Sequence, residues 1–233
     1  VGPHPHRGFS PVTFVIDGEV HHQVSRGNSQ IAGQGGVQWM HAGAGIIHSE
    51  RPTQALLDRG GSQEIIQLWV NTPSEKKMQQ PDYQFVDDQN MIKVISKDQK
   101  ISTKVIAGEY EGKTGTVKAQ SDVMVLWSTA RADGQDSIDV PSGFNSAIYL
   151  IKGKIKVDGY GIVEKENLIV FESDNSMLSL SVLEDSQYFV LTGKPLNEKT
   201  VQYGPFVMNT QTEIMEAMRD YQMGKMGVLI EEG

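Results

Sequence analysis

Between residues 1 and 70 the chain reads as one short apolar run after another, each closed by a glycine-containing or polar turn. Ser25-Arg-Gly-Asn28 and Gly33-Gln-Gly-Gly36 are two such turns, and Ala42-Gly-Ala-Gly45 leads into Ile46-Ile47. Glycines so placed reach positive φ and reverse the backbone tightly. Asp17-Gly18 lies between Thr13-Phe-Val-Ile16 and Glu19-Val-His-His-Gln-Val24, which predicts a hairpin. Ile65-Ile-Gln-Leu-Trp-Val70 reads as a closing strand. Many short strands with frequent turns predict a β-barrel or sandwich, not a sheet built from strand–helix–strand units.

The second half repeats the first. Val12-Thr-Phe-Val-Ile-Asp-Gly-Glu-Val20 and Ala147-Ile-Tyr-Leu-Ile-Lys-Gly-Lys-Ile155 are each an apolar run, a polar-Gly turn and a second run. Setting Gly18 on Gly153 gives an offset of 135, which also carries Gly8-Phe9 onto Gly143-Phe144. The repeat supports two barrels of one kind. Between them, Pro73, Pro81 and Glu75-Lys-Lys77 mark 71–91 as a surface connection. Strand-like segments follow at 92–96, 101–107, 116–118 and 123–127, with Lys113-Thr-Gly115 in a loop. Near the end, Ile214, Met215, Ala217, Met218 and Tyr221 follow helical spacing, Thr210 and Glu213 have capping-box form, and Gly224 is the stop.

Composition removes several function classes. The net charge of −8 does not suit a generic binder of nucleic-acid backbones. With no cysteine there is no disulfide, thiolate metal site or cysteine nucleophile. No run approaches the ~18 apolar residues of a membrane span. The chain begins at Val1, inside a motif, so a preceding segment is expected.

Two short pairs carry the chemistry: His4-Pro5-His6 and His48-Ser49-Glu50. In a strand the i, i+2 spacing puts both members of a pair on one face. One His-x-His pair is weak evidence, since histidines often cap or hydrogen-bond in cores. Two pairs brought together give three imidazoles and one carboxylate, a set that suits a divalent transition metal such as Fe(II) with positions left open. All six histidines (His4, His6, His21, His22, His41 and His48) lie in the first half. The offset carries His4 to Asp139, His6 to Pro141, His48 to Leu183 and Glu50 to Asp185, so the second half has no imidazole to offer. Its expected role is packing, closing the site or presenting a partner surface.

At this point the motifs resemble a known family. His4-Pro-His-Arg-Gly-Phe9, Gln38-Trp-Met40, Ala42-Gly-x-Gly45-Ile-x-His-Ser-Glu50 and Gly204-Pro-Phe-Val-Met-Asn-Thr210 are similar to those of the pirins, two-domain members of the cupin superfamily. The resemblance implies an all-β fold of two cupin, jelly-roll-like barrels in tandem with a short C-terminal helix. It places a metal-binding barrel with a truncated start at 1–90, a barrel without metal at 91–200 and a helical segment at 201–233. It also implies iron, held by the residues matching His4, His6, His48 and Glu50, the same four that the spacing selects. Many pirins read Arg-Gly-Phe-Glu-Thr where this chain has Ser10-Pro11, a change expected to alter the pocket and spare the metal. His22 matches a histidine often present in pirins and is a candidate pocket-lining or supporting group. For His21 and His41 a surface or core place is expected.

The leading functional expectation is a metal-dependent dioxygenase of the pirin type, cleaving flavonols such as quercetin with O₂. In it Fe(II), or another divalent transition metal, binds the substrate oxygens, and Glu50 is the catalytic residue, as a ligand or as the acceptor of the substrate proton. The alternative is a non-enzymatic, iron-dependent redox sensor that binds a transcription factor or a metabolic enzyme. An isomerase on a cupin barrel is a third and weaker option, because cupins host many chemistries. The expected location is the cytoplasm, or also the nucleus in a eukaryote, with neither nucleic acid nor membrane as a direct partner.

Overall fold

The computed structural model describes residues 1–172 and 176–231. It separates into two compact units, residues 1–90 with 196–233 and residues 91–195. The terminal segment therefore belongs to the first unit. No helix among the described residues is long and apolar enough to cross a membrane.

The first unit opens with β1 (His4–His6), β2 (Phe9–Asp17), β3 (Glu19–Val24), β4 (Ser29–Gly33), β5 (Val37–His41) and β6 (Ile46–Arg51). A short helix α1 (Gln54–Arg59), capped by the Thr53 side chain, leads to β7 (Glu64–Asn71) and β8 (Asp82–Val86). The strands form two four-stranded antiparallel sheets, ordered β1-β6-β3-β4 and β7-β2-β5-β8. Val15, Val20 and Ala32 pack with Phe85, and Val24, Met40, Ala42 and Ile46 with Tyr83. Each cluster draws on both sheets, which is what closes a jelly-roll barrel around one interior.

Two expectations are corrected here. Asp17-Gly18 is not a hairpin turn: β2 pairs with β5 and β7, whereas β3 pairs with β4 and β6. The chain crosses from one sheet to the other at Gly18. There φ is +76°, and a Cβ would stand 2.3 Å from the Ser62 carbonyl oxygen. A corner and a hairpin both need a positive-φ glycine, so the local signal does not separate them. The connection at 71–91 is also more than a loop, since β8 within it adds to the edge of β5.

The second unit holds β9 (Lys93–Ile95), β10 (Ile101–Ala107), β11 (Glu109–Tyr110), β12 (Lys113–Thr114), β13 (Val123–Ala130), β14 (Gln135–Asp139), β15 (Asn145–Val157), β16 (Gly161–Glu164), β17 (Asn167–Val170) and β18 (Met177–Gly193). The sheet runs β16-β15-β18-β13-β10-β9, with β14 on β18 and β17 on β15. Lys113 and Thr114, expected in a loop, form a short hairpin strand with β11. The 116–118 stretch is not a strand; only Val117 bridges, to Ala107.

The repeat is visible in which side chains face inward. On β15 the core residues are Ile148 and Leu150, then Ile155 and Val157. The change of parity falls at Gly153, where the pairing register shifts. At an offset of 135 these four correspond to Thr13, Val15, Val20 and His22. A Cβ on Gly153 would also stand 2.3 Å from a carbonyl oxygen, that of Asp185. The two halves thus turn the same corner, but where the first presents Thr13 and His22 the second presents Ile148 and Val157.

The chain ends with the hairpin β19 (Val201–Tyr203) and β20 (Phe206–Met208), then helix α2 (Gln211–Gln222). The Thr210–Glu213 capping box is formed in both directions. Phe206 and Met208 pack with Ile214 and Ala217 of α2 and with Met226. Arg7 ties the start of the unit to this segment, donating to the Ala44 carbonyl at 2.6 Å and pairing with Asp220 at 3.0 Å. Buried Lys77 donates to the carbonyls of Gly8 (2.6 Å) and Val207 (2.9 Å) and to Asn71 Oδ1 (2.6 Å).

Candidate metal centre

Strands β1 and β6 run antiparallel with His4 directly opposite His48. Directly opposed residues share a face, and so do residues two apart. His4, His6, His48 and Glu50 therefore all project from one face of this sheet. On the other side of β6, β3 sets His22 opposite Glu50 and Val24 opposite His48. The ligand atoms of His4, His6 and His48 lie within 4.8 Å of one another, and so do those of His22, His48 and Glu50. The two groups share His48, and each could hold a metal ion.

The hydrogen bonds around the imidazoles decide which nitrogen faces inward. His4 Nδ1 donates to the Gly2 carbonyl at 2.8 Å and His6 Nδ1 to the Pro205 carbonyl at 3.3 Å. Each ring then carries its proton on Nδ1 and leaves a lone pair on Nε2. His48 Nδ1 lies 2.7 Å from His22 Nε2, and His48 Nε2 lies 2.9 Å from His4 Nε2. With its proton on Nδ1, toward His22, His48 would turn a lone pair inward beside that of His4, the tautomer that a cation at Nε2 requires. His6 Nε2 is buried with no hydrogen-bond partner. A cation could take the place of a proton among these converging nitrogens, and imidazoles with a carboxylate suit a divalent transition ion.

Burial keeps the rings of His6, His22 and His48 neutral. It is the first cause for His6, lowered to about 3 with help from the neighbouring His4, and for His22, lowered to about 4. His48 is pushed well below the usual imidazole value by burial and then by His22, His6 and His4. Neutral imidazole is the form that binds a metal.

Glu50, 5% exposed, is held from the facing sheet. The Thr13 hydroxyl donates to Oε1, and Gln67 Nε2 donates to Oε2 at 2.8 Å. The Trp69 indole donates to Gln67 Oε1 at 2.8 Å, which turns the amide NH₂ toward Glu50. Thr13 is opposite Gln67 on β7 and opposite Gln38 on β5. The Tyr83 ring stands edge-on to His22 at 5.1 Å, and burial raises its phenol. The Trp69 ring, 38% exposed, lies 4.3 Å from Phe9 and 5.4 Å from His6, an aromatic wall beside the histidines.

Of the other sequence candidates, His21 bonds Ser29 away from this face and His41 is a buried residue of β5. Ser10 and Val12 share a face of β2, opposite to that of Thr13, so Ser10 points away from the donors, and its hydroxyl lies 3.5 Å from His41 Nδ1. Thr13, Gln38 and Gln67 were not singled out from sequence. Their signal was present for Thr13 and Gln38, which are buried polar residues within apolar runs, and a buried polar group needs a partner.

Known proteins share this sequence pattern and fold. The family model described as pirin matches residues 1–70, and that of the pirin C-terminal cupin domain matches residues 125–227. A pirin-like protein of Solanum lycopersicum is 35% identical over 230 residues, covering 96% of this chain and 76% of its own length. A crystal structure of quercetin 2,3-dioxygenase from Acinetobacter baumannii superposes with a TM-score of 0.94 at 37% identity, covering 99% of this chain and 80% of that one. A bacterial pirin from Escherichia coli, solved in complex with nickel(II), shares the fold at a TM-score of 0.66 and 22% identity, over 83% of this chain and 76% of its own.

Proposed function

The chain belongs to the pirin family, and on that premise we propose that it is a metal-dependent dioxygenase cleaving flavonols such as quercetin, with His4, His6, His48 and Glu50 as its metal donors. Iron(II) is the ion assigned, and other divalent transition metals suit the same donors. The observation that carries the reading is the 2.9 Å approach of His4 Nε2 to His48 Nε2 beside the unpartnered His6 Nε2. The ion, when bound, supplies Lewis acidity toward the flavonol oxygens and the redox capacity for O₂.

The protein's own groups do the rest. Neutral His6 and His48 offer nitrogen lone pairs without first losing a proton, and His4 stands beside them. Glu50 completes the donor set and accepts the proton of the flavonol hydroxyl, with Thr13 and Gln67 fixing its carboxylate. Trp69, backed by the buried Phe9, offers a flat apolar wall against which an aromatic substrate can lie.

The test is quercetin turnover by iron-loaded protein under O₂, repeated after chelation and after reloading. Turnover that is lost and regained with iron supports the reading. An iron-loaded protein that leaves quercetin and related flavonols intact overturns it. Metal-dependent capture of a cellular protein without turnover would favour the regulatory alternative.

A further inference from the structure

Two groups reach the proposed donors from outside, and their hydrogen bonds have opposite polarity. On one side lies His22, 2% exposed, with its Nε2 2.7 Å from His48 Nδ1; with a metal on its Nε2, His48 carries its proton on Nδ1 and donates it to His22. An acceptor on the far nitrogen makes the imidazole a stronger electron donor through Nε2. On the other side the Thr13 hydroxyl and the Gln67 amide each donate to one oxygen of Glu50. Donors on a carboxylate withdraw charge from it and make it a weaker ligand. The second half shows what the barrel does without this arrangement, for its equivalents of Thr13 and His22 are the core residues Ile148 and Val157.

We propose that His22 and the Thr13–Gln67 pair are positioning residues that set the redox balance of the site from opposite sides. His22, acting through His48, favours the oxidised ion, and Thr13 with Gln67, acting through Glu50, favours the reduced one. The inference rests on the donor set proposed above. It goes beyond that set in giving opposite signs to two outer contacts. A role confined to holding the fold would loosen the site in the same direction from either side.

The experiment is the Fe(III)/Fe(II) midpoint of iron-loaded protein, with iron affinity from chelator competition, for the wild type, Thr13→Val, Gln67→Leu, His22→Leu and His22→Gln. Thr13→Val and Gln67→Leu should lower the midpoint and bind iron at least as tightly. His22→Leu should raise it and weaken iron binding roughly 10–100-fold. His22→Gln, whose amide oxygen can still accept from His48, should return toward the wild type. Gln67 is at the surface, so its variant carries the donor arm even where Thr13→Val does not fold. For the His22 arm, nitrogen-15 spectra of zinc-loaded wild type should show the His48 proton on Nδ1, and a proton on Nε2 overturns that arm. Midpoints unchanged, or moved in the same direction on both sides, overturn the inference while the donor set stands. Wild type that takes up no iron, or a His48→Ala variant that binds it as tightly, overturns the donor set and the inference together.

Discussion

His4 and His48 stand directly opposite each other on β1 and β6, with their Nε2 atoms 2.9 Å apart. Residues distant in sequence thus present two ring nitrogens to one point. His48→Ala removes one of these and the acceptor contact to His22 with it. The variant should lose most of its bound metal, because the remaining groups seldom hold iron well. Elemental analysis after dialysis checks this, and an unchanged metal content would exclude His48 as a donor.

Glu50→Gln keeps the shape of the side chain and removes its charge. Loss of an anionic ligand costs Fe(III) more than Fe(II), so the midpoint should rise and iron should bind less tightly. The substrate proton also loses its acceptor. Turnover at saturating iron and quercetin should fall about 10²-fold or more. If neither the midpoint nor turnover changes, Glu50 points away from the ion.

The buried histidines make the metal-free protein acid-sensitive. His6 and His22 are lowered to about 3 and about 4, so the unfolded chain binds protons that the folded one refuses. Their contribution to stability is complete above the ordinary imidazole value near pH 6.5 and is lost as pH falls through 4 toward 3. Melting temperature measured from pH 7 to pH 4 should fall, with a shallower slope for His22→Leu.

Lys77 is 1% exposed and meets three acceptors, one of them on β20. Lys77→Met strands the Gly8 and Val207 carbonyls. A buried acceptor without a partner costs roughly 1–3 kcal/mol. Urea unfolding should show a loss of about that size, with the terminal hairpin more open to proteolysis.

Asp139 and Asp185 are the positions to which the offset carries His4 and Glu50, and both are exposed. Asp185 accepts from the Ala132 backbone, a local contact in the second unit. Asp139→Ala and Asp185→Ala should leave the metal content as in the wild type. A folded variant of either that loses metal would show a site in that unit.

What the sequence determined by itself was local. The strand content, the i, i+2 spacing that puts His4 with His6 and His48 with Glu50 on one face, the capping box of α2 and the repeat about Gly18 and Gly153 are properties of a few neighbouring residues. Their geometry follows from the backbone period and from the freedom of glycine at positive φ. What only the tertiary structure decided depends on which strands lie side by side. Asp17-Gly18 could close a hairpin or turn a corner between sheets, and only the pairing of β2 with β5 and β7 chose the corner. The same choice brought Thr13 and Gln67 of the facing sheet to Glu50, put His22 behind His48 and brought the Pro205 carbonyl to His6 from the far end of the chain. Those contacts join residues whose separation in sequence carries no periodic signal. They form because a closed barrel must bury the inner faces of both sheets at once, and each polar side chain trapped there has to find its partner across the interior.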